Sequence, residues 1–150
     1  MVGYDHADAV KLTELVQAEY VRRYHSEVGD ASPMDPGQFT HPNGIFFIGY
    51  VEDVPVAMGG WRRGGPGGDS DGEIKRMFVL DSQRGKGYSR QVLDEIERSA
   101  ARQGITRLVL ETGTEQPEAI ALYRSAGYVD IEPFGFYAAY DDSVHLAKPL

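Results

Sequence analysis

The sequence predicts an α+β fold, and three observations carry that prediction. Two apolar strands close around Asp53 as a hairpin, an apolar strand over 74–80 runs through a basic glycine turn into an amphipathic helix, and a further helix precedes two closing strand signals. With 150 residues and 41% hydrophobic content, the chain is long enough for one compact domain over 1–150 with its own core.

The elements follow in order. Residues 7–24 carry Val10, Leu12, Leu15, Val16, Tyr20, Val21 and Tyr24 in a mostly helical pattern, which predicts the first helix. The stretch 29–37 is turn-rich, with a short helical turn after Pro36, and His41-Pro42-Asn43-Gly44 marks another break. Residues 45–52 and 54–61 read as the hairpin strands. The stretch 63–72 is too glycine-rich for regular structure and reads as a flexible connection to the strand over 74–80. Val92, Leu93, Ile96 and Ala100 recur at helical spacing, with Asp94 and Arg98 as an outer i,i+4 pair and Gly104 as the stop. Residues 107–111 then read as a short buried strand, 117–126 as a helix opened by Pro117 and stopped by Gly127, and 128–131 and 143–147 as closing strands.

Composition removes several function classes. A net charge of −8 and a pI near 4.9 argue against binding nucleic acid or an anionic membrane, because either surface repels such a chain. The first thirty residues hold no continuous apolar run, so neither a cleaved signal nor a membrane span is expected, and the reading places the protein in the cytoplasm. Zero cysteines exclude disulfides and thiolate nucleophiles or ligands. His6, His25, His41 and His145 show no ligand spacing, so no metal is expected.

In an acidic chain a local basic turn is telling. Arg84-Gly85-Lys86-Gly87-Tyr88-Ser89-Arg90 links a strand to a helix start. Gly85 and Gly87 let the backbone approach an anion, the helix start offers unpaired N–H groups, and Arg84 and Lys86 add charge. An ordinary surface loop is the alternative. Two nucleotide motifs are excluded: the P-loop pattern fails because Gly87 follows Lys86, and Gly-x-Gly-x-x-Gly fails at Arg90.

Three segments stand together: Gly72-Glu73-Ile74-Lys75-Arg76-Met77-Phe78-Val79, the Arg84 to Ser89 turn, and Ala119-Ile120-Ala121-Leu122-Tyr123-Arg124-Ser125-Ala126-Gly127-Tyr128. In this order and spacing they resemble the GNAT acyl-CoA N-acetyltransferase superfamily, over most of the chain. The turn matches that family's Arg/Gln-x-x-Gly-x-Gly/Ala motif except that Ser89 takes the last small-residue position. The resemblance implies a three-layer α/β/α arrangement whose mixed, mostly antiparallel sheet has about six to seven strands flanked by helices. It implies acetyl-CoA as co-substrate, with main-chain N–H groups between Arg84 and Arg90 holding the pyrophosphate. It also implies that the strand ending in Met77, Phe78 and Val79 pairs its backbone with the pantetheine arm. Where the family usually has Asn, this chain has Gln116, which either touches the cofactor or caps the helix.

The implied reaction is direct transfer of an acetyl group to a primary amine, most readily of a small molecule, in a ternary complex. Tyr123 matches the family tyrosine that protonates the leaving thiolate, a role suited to a phenol whose ordinary pKa of about 10 exceeds that of a thiol, about 8.5. Glu73 stands where several members place a general base, with an ion pair beside Lys75 and Arg76 as its alternative and Glu111 as the second candidate base. A backbone N–H near Phe78 or Val79 is the implied oxyanion donor. Trp61 and Phe134 are put forward as acceptor contacts, with Arg62, Phe136, Tyr137 and Tyr20 near the same elements; packing is the alternative for each. The resemblance leaves monomer and homodimer both open.

Two rivals remain. A serine hydrolase has Ser89, Asp141 and His145 in a known order, but Gly87-Tyr88-Ser89-Arg90-Gln91 lacks the second glycine of a nucleophile elbow. A non-catalytic acyl-CoA sensor or partner-binding module needs only the turn, whereas transfer needs Glu73 and Tyr123 as well.

Overall fold

The computed structural model describes residues 3–24, 30 and 32–150; of the residues read above, His25, Gly29 and Ala31 lie outside these. Helix α1 (Ala7–Tyr24) and a 3-10 turn (Pro36–Phe39) lead into strands β1 (Gly44–Val51), β2 (Val54–Arg63) and β3 (Asp71–Val79). Helix α2 (Tyr88–Arg102), β4 (Arg107–Gly113), helix α3 (Pro117–Ser125), β5 (Val129–Asp130) and β6 (Ser143–Pro149) follow. The described strands form one six-stranded sheet in the order β1-β2-β3-β4-β6-β5. All its ladders are antiparallel except β3 with β4.

Each helix buries one stripe. Ala9, Leu12 and Val16 of α1 recur at i+3 and i+4 and pack with Phe39, Phe46, Met58 and Phe78 on one side of the sheet. Val10 and Leu15, part of the expected apolar pattern, fall off that stripe and stay exposed. On the other side Val92, Leu93, Ile96 and Ala100 of α2 pack with Val56, Ile74 and Leu108, and α3 adds Tyr123. Helices on both faces give the three layers.

The β1–β2 hairpin turns on Glu52 (φ 49°) and Asp53 (φ 66°), the paired positive φ of a type I′ turn. The glycine stretch after β2 departs from expectation. Asp71, nearly fully buried, accepts from the Gly67 N–H at 2.6 Å and takes the Arg107 guanidinium on both oxygens at 3.0 and 2.7 Å. That anchor folds Gly68–Ser70 into a short turn where the composition suggested none. The outer α2 pair also differs: Arg98 reaches Glu95, at i,i+3 and 2.6 Å, in place of Asp94.

One irregularity shapes the centre of the sheet. Strand β3 pairs with β2 from Arg63–Gly72 to Gly60–Lys75 and resumes at Met58–Phe78, so Arg76 and Met77 face Gly59 alone. Arg76 sits at φ 61°, a conformation a non-glycine residue adopts only where its surroundings impose it. Gly59 is the reason the bulge fits: a Cβ there would lie 2.5 Å from the Met77 sulfur. On its other edge β3 pairs with β4 only through Asp71, Gly72 and Glu73 opposite Arg107, Leu108 and Val109. Beyond Glu73 no ladder joins the two strands, and the sheet opens.

Candidate active site

The opening between β3 and β4 continues into the basic turn. Gly85 (φ 80°) and Gly87 (φ 83°) both take the left-handed conformation, and Gly87 caps α2 with no side chain over the helix start. The first N–H groups of α2 are thereby left for an anion. A cleft of about 210 Å³ is lined by Met77, Phe78 and Val79 of β3, by Arg84, Gly85, Gly87, Tyr88 and Ser89 of the turn, and by Gln116 and Tyr123 across it. The side chains of Lys86 and Arg90 turn elsewhere. Lys86 donates to Gln83 at 3.0 Å, and Arg90 reaches Ser125 on α3.

Arg84 is heavily engaged. Its Nε donates to the Val79 carbonyl at 3.1 Å, and its guanidinium meets Glu19 of α1 at 2.7 Å and Asp81 at 3.3 Å. Glu19 itself lines the cleft, as does Glu118 of α3, which pairs with Arg23. Gln116 stands at the start of α3 but makes no side-chain cap; its amide points at the Tyr24 hydroxyl at 3.4 Å.

The cleft joins a chamber of about 280 Å³, and Met77, Gln116, Ala119 and Tyr123 line both. Tyr123 thus stands where the two spaces meet. Burial pushes its phenol well above the ordinary range, with Tyr20 and Glu111 adding to the effect. Glu111, at the other wall, is pushed up to about 7 by burial, against the opposing pull of a hydrogen bond with Ser143 and the charge of Lys75. A carboxyl of that pKa changes charge near neutrality.

Glu73 occupies different ground. Its Oε1 accepts from Arg62 Nε at 2.9 Å and lies 2.8 Å from the other guanidinium nitrogen, so it sits in an ion pair, with Arg62 as partner in place of Lys75 or Arg76. It lines a third cavity, of about 410 Å³, which shares Lys75, Glu111, Phe136 and Tyr137 with the chamber. Glu111 faces both spaces.

Of the two acceptor contacts put forward from sequence, Trp61 is corrected. Its ring is fully buried beneath α2, and its indole N–H donates to Ser99 Oγ at 2.9 Å. Residues 56–61 of β2 are covered on both faces, position 61 falls on the α2 side, and Ser99 satisfies the one polar atom that burial strands. Phe134 borders the third cavity, edge-on to His145 at 5.1 Å between centroids.

Residues the sequence did not single out complete the chamber. Asp30 Oδ2 accepts from Lys75 at 3.1 Å and Arg76 at 2.9 Å, while Oδ1 accepts from Tyr137 at 2.7 Å and from the Ser32 hydroxyl at 2.6 Å. Lys75 and Arg76 hold its carboxyl well below the usual range despite its burial. The available signal was adjacent charges in an apolar strand, since Lys and Arg are rarely buried without a partner.

Comparison with known proteins fixes the family. The model of the Acetyltransferase (GNAT) family matches residues 9–128, well over half of the chain. The chain belongs to the GNAT family. Among solved structures, this GNAT chain superposes on a proposed acyl-CoA N-acyltransferase from Klebsiella pneumoniae with a TM-score of 0.80 at 25% identity, covering 99% of this chain and 94% of that one. It shares the fold of a GNAT-family acetyltransferase from Staphylococcus aureus, with a TM-score of 0.78 at 17% identity over 99% and 97% of the two chains. Among curated proteins, it is 46% identical over 79 residues to an IAA acetyltransferase of Azospirillum brasilense, covering 53% of this chain and 52% of that one. The matched segment spans about half the length of each curated relative.

Proposed function

We propose that the protein is an acetyl-CoA-dependent N-acetyltransferase that acts on the primary amine of a small molecule by direct transfer. The observation that carries this reading is the junction at Met77 and Tyr123. It opens on one side to a cleft with an anion-ready helix start and on the other to a chamber walled by Glu111. The GNAT family uses acyl-CoA, and the relatives named as acetyltransferases support the acetyl group as cargo.

The residues present fit that co-substrate. The main chain of Gly85 to Ser89 is bare enough to hold a pyrophosphate, and the open edge of β3 offers N–H and C=O groups to an amide-bearing arm. When bound, acetyl-CoA supplies the activated acyl group. Glu111, in its ionised form, takes a proton from the incoming ammonium. The β3 N–H groups near Phe78 and Val79 stand as donors to a carbonyl oxygen that gains charge. Tyr123, kept neutral by burial, presents its O–H to the departing sulfur. Glu111 is preferred to Glu73 as the base because its carboxyl faces the chamber and titrates near neutrality, whereas Glu73 is tied to Arg62.

The test is thiol release from acetyl-CoA across a panel of amines, with CoA binding measured in parallel. Turnover with at least one amine class supports the reading. Background release with every amine, alongside measurable CoA binding, assigns the chain to acyl-CoA sensing instead.

A further inference from the structure

One wall of the acceptor chamber sets two buried cations against one buried carboxylate that they share. Lys75 and Arg76 are adjacent, 8% and 7% exposed, and both lean on the single carboxylate of Asp30. That carboxylate is fully subscribed: Oδ2 takes both cations, and Oδ1 takes Tyr137 and the Ser32 hydroxyl and N–H. Asp30 therefore has no lone pair left for an incoming ammonium. The Lys75 ammonium has three N–H donors, of which Asp30 takes one at 3.1 Å and Ser32 Oγ a second at 2.8 Å. Among the described residues no group takes the third, and Lys75 lines both the chamber and the third cavity.

The charge balance points the same way. The carboxyls that face this wall are Asp30, Glu111 and Asp142. Asp142 is exposed, and Glu111 becomes neutral whenever it takes a proton from the acceptor. At that moment the buried trio keeps one net positive charge in a low-dielectric wall, where an uncompensated ion is costly. An acceptor with further ammonium groups would raise that cost, which disfavours polyamines and aminoglycosides.

Resting on the acetyltransferase reading, we infer that the acceptor is an amine that also carries a carboxylate, of the amino-acid type, with the carboxylate seated on Lys75. Its amine then lies between Glu111 and Tyr123, and its body lies against the rings of Phe136 and Tyr140, which stack at 6.3 Å between centroids and are half exposed. Lys75 is the specificity-determining residue, through a charge-assisted hydrogen bond that a carboxamide cannot replace at equal strength.

The test pairs free amino acids with their carboxamides: phenylalanine, tyrosine, tryptophan, leucine and methionine. Two quantities are read for each pair, kcat/KM by thiol release and affinity for the CoA-loaded protein by titration calorimetry. At least one free acid is expected to exceed its carboxamide by about tenfold or more in both, the scale of one charge-assisted hydrogen bond. Lys75→Arg should keep the preference, and Lys75→Met should abolish it at unchanged CoA affinity. Equal or better performance by the carboxamides, or no binding by any acid, overturns the inference, and this wild-type comparison stands even if Lys75→Met does not fold. Preferential binding of an acid without thiol release would keep the carboxylate seat on Lys75 but sink the acetyltransferase reading, and the acceptor role with it.

Discussion

Arg84 of the glycine turn and Glu19 of α1, both lining the cleft beside β3, form an ion pair at 2.7 Å. An anion entering the cleft meets the Glu19 carboxylate and must compete with it for the guanidinium. Glu19→Gln removes both the repulsion and the competition. Its dissociation constant for CoA, by titration calorimetry, should fall by about twofold to fivefold, because a nearby like charge is worth a fraction of a kcal/mol to about one at a partly exposed site. Weaker binding would show that Glu19 helps to seat the cofactor.

Tyr123 should act on the chemical step and not on binding. Because Tyr123 lines both cleft and chamber, Tyr123→Phe is expected to lower kcat by about a hundredfold or more with little change in either KM, as for loss of one general acid. Single-turnover rates check this, and an unchanged rate where chemistry limits turnover removes Tyr123 from the mechanism.

As the proposed base, Glu111 should set the pH profile. Its folded-state pKa is raised from the ordinary 4.5 to about 7, so kcat/KM should climb as pH rises through about 7 and the carboxyl ionises. Stability runs the other way. A carboxyl that binds its proton more tightly when folded contributes fully below its ordinary pKa, and that contribution is lost as pH rises through the folded value. Glu111→Gln should flatten the acid limb at a low rate and show a higher Tm than the parent at pH 8, but not at pH 4.

Trp61 separates packing from recognition. Trp61→Phe leaves space beneath α2 and removes the donor to Ser99 Oγ, which keeps its own bond to the Ile96 carbonyl, for an expected loss of about 1–3 kcal/mol in denaturant unfolding. CoA affinity and acceptor KM should not move. A shifted KM at full stability would return Trp61 to the acceptor site.

What the sequence conveyed depended on how local the cause was. Helix α1 begins and ends at the residues its pattern indicated, and α2, the hairpin and the glycine turn lie where their stop and turn residues put them. Tyr123 was legible because its neighbours form a continuous motif. The preference proposed for Glu111 over Glu73 was not, because it turns on Arg62, which lies across a ladder from Glu73, and on the burial of Glu111. Trp61 was misassigned for a similar reason: what buries it is α2, a distant helix that covers this part of β2. The bulge at Arg76 left no mark in the local pattern. Its cause, the room that Gly59 leaves for Met77, lies on the neighbouring strand.

The opening of β3 from β4 leaves main-chain donors and acceptors without strand partners, the condition that lets sheet edges recruit other chains. Here those groups lie at the middle of the strand order, with β2 beyond one edge and β6 beyond the other. The cleft is flanked by α1 and α3 through Val16, Glu19 and Leu122. A second polypeptide approaching the rim meets β1 or β5 first. The protein thereby keeps a length of adhesive backbone ready for a narrow ligand while withholding it from β-aggregation, and loss of α1 packing should be felt as self-association as well as lost binding.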